Sequence, residues 1–234
     1  MTFRERVADA GRFALRPTFV AQPMASTGER VRVLLSAGAV HLVLLALVVG
    51  PLWLAGRSAG VLPAPDAKAE SLAASPLAFL VIAPLLEELV FRGWLTGRVA
   101  GLRFAACGFA AMALMLAGVA LVPDHGRILA WAGAGVALAG LVHWSLTRER
   151  RREIPPAFIR YFGVIVWAQA LLFGAIHLGN YADLTNPLGL AVVLPQVLGG
   201  LLLAFIRTRA GLAAGMAYHA GYNALVLLAA WGTA

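Results

Sequence analysis

Seven stretches of the chain stay apolar long enough to cross a bilayer, and short polar segments separate them. They fall at about 33–55, 76–97, 104–122, 128–146, 158–179, 188–206 and 212–231. Each approaches the ~20 residues that a helix needs to span a hydrocarbon core of about 30 Å. The runs are continuous rather than alternating, so they predict helices and not the strands of a membrane barrel. The connections carry turn chemistry. "GRSAGVLPAPDAKAES" at 56–71 is rich in Gly, Pro and Ser, "TRERRREIPP" at 147–156 is charged and closed by two prolines, and "GNYADLTNP" at 179–187 is polar. The expected fold is all-α, a polytopic transmembrane helical bundle of about seven spans. Residues 1–32 read as an arginine-rich cytoplasmic tail and 33–234 as one transmembrane domain. Phe3, Val7, Ala10 and Ala14 predict one apolar face of a short interfacial helix on that tail. The run that follows, Val33 to Ala55, exceeds the 7–15-residue core of a signal peptide.

Composition agrees. The 234 residues are 61% hydrophobic and only 13% charged, with a mean hydropathy of +0.82. The net charge of +8 is carried almost wholly by arginine. Its placement argues for topology rather than for nucleic acid. With the tail inside, the inner loops collect nearly all the basic residues; Arg57, Lys68 and Arg127 fall outside and Arg92 lies within a span. That bias places the N-terminus in the cytoplasm and the C-terminus outside, with the remaining arginines against anionic lipid. The Arg-, Ala- and Gly-rich composition points to a bacterial inner membrane. Cys107, the single cysteine, excludes an intrachain disulfide and a Cys-rich metal motif, and reads as a small packing residue.

Against this background, ionisable groups inside the spans become functional candidates. The sharpest set is Glu87, Glu88 and Arg92 in "PLLEELVFRG". A central charge costs ~2.5–3.5 kcal/mol, so three unpaired charges would cost roughly 8–10 kcal/mol. Glu88 and Arg92 stand at i and i+4 with the acid first, the favourable order for an ion pair. Glu87 points about 100° away around the helix. It must find a partner on another helix, and a desolvated carboxyl suits a general base. Pro84, one turn earlier, removes a backbone donor. Phe173 and His177 share a face at the end of the fifth span, and His219 and Asn223 share one in the seventh. Gly211 and Gly215 precede the latter pair at the same spacing, which allows another helix to approach closely. His41 and His143 read as satisfied core histidines and His125 as a solvated one. "GRSAG" at 56–60 matches G-x-S-x-G without the strand before it that a nucleophile elbow requires. No H-E-x-x-H, Walker or Rossmann motif appears.

These residues resemble the CPBP family of intramembrane proteases, which includes the Ras-converting CAAX prenyl endopeptidases and the bacterial Abi proteins linked to bacteriocin processing and immunity. The family's E-E-x-x-x-R reads here as Glu87 to Arg92, its F-x-x-x-H as Phe173 to His177, and its H-x-x-x-N as His219 to Asn223. The resemblance covers about residues 76–231. It implies that Glu87 activates water against a peptide bond, that His177 assists, and that His219 and Asn223 stabilise the oxyanion. Glu88 and Arg92 would hold the glutamate helix in place. The implied substrate is a membrane-associated, in some members lipidated, peptide or protein.

Other readings compete. A zinc or other divalent ion on Glu87, His177 and His219 is the metal alternative. The metal-free glutamate mechanism is preferred, because Arg92 near the site would oppose a cation unless Glu88 neutralised it. A transporter or channel would spread polar residues along a path, and the sequence shows a cluster. A non-catalytic immunity or binding protein of the same fold would tolerate loss of the glutamate. One tension is geometric: on a simple ladder of 1.5 Å per residue, His177 lies near the outer end of its span, away from Glu87. They meet only if the fifth helix is displaced, ends early or is broken.

Overall fold

The computed structural model of the protein describes residues 1–21, 23, 26–66, 75–121 and 126–232. Lys68 and His125, assigned above to outer connections, lie outside the described residues. The described residues form helices without a strand; their one β-bridge joins Pro65 to Tyr181. The all-α expectation therefore holds. Five helical segments are long and apolar enough to cross a membrane: Thr27–Ser58, Val99–Gly118, Gly126–Thr147, Phe162–Asn180 and Pro187–Ala210. The expected seventh span is built as a single helix, Leu212–Gly232. The expected second begins with a π-helical segment, Ala78–Ile82, that runs into the ten-residue helix Ala83–Arg92.

The chain divides into two compact units, Met1–Glu88 with Tyr161–Ala234, and Leu89–Arg160. In the first, α1 (Phe3–Leu15) opens with a capping box in which Thr2 and Glu5 bond reciprocally. The expected tail helix forms, but the face it buries is Arg6, Ala10 and Phe13 rather than Phe3, which is exposed. It packs on α2 (Thr27–Ser58) and α8 (Leu194–Ala210). Arg6 makes an ion pair with Glu29 of α2. Phe13 meets Phe162 and Phe205 edge to face. Arg209, near the C-terminal end of α8, bonds Asp9 and both the carbonyl and hydroxyl of Thr18.

α8 is the central helix of this unit. Two thirds of its apolar window is buried (67%), against 33% or less for the other four segments. It packs on α1, α2, α7 (Phe162–Ile176) and α9 (Leu212–Gly232). A helix apolar on every side is stable only when surrounded in this way. Gly211 ends it with a φ of +99°, a conformation that favours glycine. Gly211 is thus a helix stop and not part of the small face of α9.

The second unit is built on α4 (Val99–Leu121) and α5 (Gly126–Thr147), with the short α6 (Pro156–Arg160). Gly126, Gly133 and Gly140 recur every seven residues and form one stripe of α5. A Cβ on Gly133 would stand 2.8 Å from the Ala111 carbonyl oxygen, so the stripe lets the two backbones close together. Cys107 faces Gly140 in this contact, consistent with a packing role. His143 is exposed on α5, not in a core.

Candidate active site

The site is assembled from breaks in helices. α3 begins with the π segment Ala78–Ile82 and continues as Ala83–Arg92. In the π register the Ala83 N–H bonds the Ala78 carbonyl, one residue further back than in an α-helix. Residue 84 is proline and has no N–H. The Phe79 carbonyl therefore receives neither the i+4 nor the i+5 donor of its own helix. Asn223 of α9 takes it, with Nδ2 2.9 Å from the Phe79 oxygen. This contact fixes the Asn223 amide and spends one of its two N–H groups.

Three residues after Pro84 come the two glutamates. Glu88 is fully buried. Its Oε1 lies 3.1 Å from His219 Nδ1. The close approach is made possible by Gly215, where a Cβ would sit 3.2 Å from Glu88 Oε2. Glu87 is turned differently: a quarter of its side chain is exposed, and its Oε2 lies 3.7 Å from His219 Nε2. That separation exceeds a hydrogen bond. His219 thus addresses both glutamates. Spacing along the chain pairs Glu88 only with Arg92 and cannot show this bond, because nothing in a linear spacing sets α9 against α3. Arg92 is fully buried in the second unit, with its guanidinium 5.6 Å from the Phe91 ring centroid.

The fifth helix ends before the 179 expected from the sequence. α7 stops at Ile176, and His177–Asn180 form a 3-10 turn. His177 Nδ1 lies 2.6 Å from the Phe173 carbonyl oxygen. A carbonyl only accepts, so Nδ1 carries the proton and Nε2 holds the lone pair of the neutral ring. The Phe173 ring separates the two histidines, 4.6 Å from the His177 centroid and 6.1 Å from that of His219. The following strand-like residues are pinned by Asp66 N–H to the Asn180 carbonyl and Ala182 N–H to the Ala64 carbonyl, both 2.8–2.9 Å.

Glu87, Phe173, His177, His219 and Asn223 all border one cavity of ≈ 590 Å³ within the first unit. The sequence reading overlooked part of its wall. His41, treated as a satisfied core histidine, borders the same space, as do Tyr181, Gln196, Tyr218 and Tyr222. His41 had no polar neighbour along the chain to betray it, because its partners lie almost 180 positions away. Much of the remaining wall is apolar, including Leu45, Val49, Trp53, Ile176 and Val226.

The metal alternative was tested on the donor set. Among the described residues, no three His, Cys, Asp or Glu side chains stand in a group able to hold one ion. The set Glu87, His177 and His219 does not fit a three-ligand site.

A family model described as type II CAAX prenyl endopeptidase Rce1-like matches residues 69–164 and 151–225. The chain belongs to this family. The three motifs all fall inside the matched residues, so the resemblance read from them holds. No curated protein and no solved structure matches the chain. The CAAX endopeptidase family is one of proteases, and with five apolar helices of spanning length this member is an integral membrane protein.

Proposed function

We propose that the protein is an intramembrane endopeptidase that hydrolyses a peptide bond of a membrane-associated peptide or protein with a water activated by Glu87. The observation that supports this most directly is the Glu87 carboxylate: its Oε2 is buried without a hydrogen bond, 3.7 Å from His219 Nε2, on a cavity shared with His177 and Asn223. Glu88 on the same helix is fully buried, with Oε1 bonded to His219 Nδ1, and serves as support.

In this reading water is held between Glu87 and the cavity. Glu87 takes a proton as the water oxygen attacks the scissile carbonyl carbon. The carbonyl oxygen becomes an oxyanion, which needs fixed donors in a water-poor site. Asn223 offers the second N–H of Nδ2, already oriented by the Phe79 carbonyl. His219 offers a ring N–H, its imidazole held in place by the contact between Nδ1 and Glu88. Collapse of the intermediate breaks the C–N bond, and the proton on Glu87 passes to the leaving amine. His177 Nε2 relays or orients that proton. The apolar wall suits a substrate that carries a lipid chain, and a prenylated peptide with its modified cysteine fourth from the C-terminus is the first candidate. The arginine distribution supports an inner-membrane placement with a cytoplasmic N-terminus.

The test is the purified full chain in detergent, assayed on lipidated and plain peptides, with Glu87→Gln as control and metal content measured on the same sample. Cleavage of a peptide by the wild type and not by Glu87→Gln is expected. Equal turnover by both would refute the assignment of Glu87.

A further inference from the structure

The side of the cavity formed by α2 and α8 contains polar atoms that hydrolysis does not use. His41 is 3% exposed, and its Nε2 has no hydrogen-bond partner among the described residues. Its Nδ1 lies 2.9 Å from the Tyr218 hydroxyl, and its ring stacks on Tyr222 with centroids 4.6 Å apart. A phenol donates more readily than it accepts, because the ring withdraws its lone pairs. Tyr218 therefore donates to Nδ1, and the proton of the neutral imidazole resides on Nε2. Nε2–H stands toward Gly199, where a Cβ would be only 3.9 Å away. Gly199 and Gln196, one turn apart on α8, both border the cavity. The Gln196 side chain bonds Tyr181, while its Oε1 is buried without a partner.

An unfilled buried donor and an unfilled buried acceptor are each costly unless a ligand completes them. A lipid chain has neither group to offer. A peptide unit has both, a C=O for His41 and an N–H for Gln196. We propose that His41 and Gln196 form a subsite for the backbone of the bound peptide, separate from the residues assigned to hydrolysis, with Tyr218 as the positioning residue that fixes the His41 tautomer. The inference rests on the endopeptidase reading above and adds which part of the substrate this wall recognises. Stacking on Tyr222 keeps the imidazole plane fixed, so the subsite is preformed.

Two fluorescent probes separate peptide from lipid recognition. One is a labelled peptide with a farnesylated cysteine fourth from its C-terminus; the other is the same label on a farnesyl thioether with no peptide bond. Binding is measured by anisotropy to the full chain carrying Glu87→Gln, which cannot turn the peptide over in the proposed mechanism. Adding His41→Phe, which keeps the stacked ring, is expected to weaken the peptide about tenfold and to leave the thioether unchanged. His41→Gln, which returns an N–H, is expected to recover part of the loss. In the Glu87 wild-type background, His41→Phe should raise KM about tenfold with kcat within about twofold. Equal weakening of both probes, or of neither, overturns the subsite. So does a kcat collapse with KM unchanged, which would place His41 in the chemistry. If His41→Phe does not fold, Gln196→Leu and Tyr218→Phe carry the same comparison. Should the peptide bind with His41 dependence but never be cleaved, the endopeptidase reading fails and the subsite stands.

Discussion

Asn223 has two roles that one pair of substitutions can pull apart. Its Nδ2 bonds the Phe79 carbonyl, 2.9 Å away, and in the proposed mechanism its second N–H meets the oxyanion. Asn223→Ala removes both. The Phe79 carbonyl is then left without a donor, because Ala83 N–H is committed to Ala78 and Pro84 has none. An orphaned buried carbonyl costs about 1–3 kcal/mol, while side-chain hydrogen bonds in membrane bundles average nearer 0.6 kcal/mol with a maximum of about 1.7. The expected loss is thus about 1–2 kcal/mol, a fall in melting temperature of a few degrees for a chain of this size. Loss of one oxyanion donor lowers kcat by roughly 10²–10³-fold. Pro84→Ala returns an N–H at the i+5 position from Phe79, the position the π register uses. In the Asn223→Ala background it should restore most of the stability and none of the activity. The assay is a double-mutant cycle, with thermal unfolding in detergent and peptide hydrolysis measured on the same four proteins. Additive stability effects would refute the account of the Phe79 carbonyl. Recovery of activity with Pro84→Ala would refute the role of Asn223 as an oxyanion donor.

The adjacent glutamates should separate in the same assays. Glu87→Gln, whose Oε2 makes no hydrogen bond, should lose hydrolysis with a melting temperature within about a degree of wild type, whereas Glu88→Gln, fully buried against His219, should lower both by weakening a charge-assisted bond of about 1.5–3 kcal/mol. Gly133→Leu would force a side chain into the Ala111 backbone; an unfolding or misassembled second unit, seen as protease sensitivity between residues 99 and 147, is the expected result. Arg209→Met removes the bonds to Asp9 and Thr18 and should expose α1 to limited proteolysis while leaving the membrane helices intact.

Much of this molecule was legible in one dimension, for a definite reason. Membrane helices are long and apolar, and intramembrane charges are rare enough to stand out, so Glu87, Glu88, His219 and Asn223 stand out by spacing and cost, while His177 is marked only by the family resemblance. What spacing could not show was where helices stop. The fifth span reads in sequence as one helix to 179, whereas α7 ends at Ile176 and a 3-10 turn places His177 on the cavity wall. The tail showed the opposite weakness. Its arginines were counted as topology signals, yet Arg6 is buried in an ion pair with Glu29, a tertiary contact that charge counting cannot see. His41 was passed over because a lone histidine in an apolar run has no local signature, and its partners Tyr218 and Tyr222 lie on the last helix.

The irregular backbone is not scattered. Two π segments, Leu45–Val49 and Ala78–Ile82, each end in one residue followed by proline, Gly50-Pro51 and Ala83-Pro84. Both contribute residues to the cavity wall, Leu45 and Val49 from the first and Phe79 from the second. The 3-10 turn His177–Asn180 borders the same space, and the second 3-10 segment, Pro187–Val193, delivers Pro195 and Gln196 to it. Within hydrocarbon, a broken helix leaves backbone groups that no lipid can satisfy, so such breaks survive only where protein or a polar cavity receives them. Here each break has a use. One frees the carbonyl that bonds Asn223, and another places His177 in a 3-10 turn on the cavity wall. At Pro84 the proline and the polar residue act as one device: the first leaves the Phe79 carbonyl without its helical donors, and Asn223 supplies one from another helix.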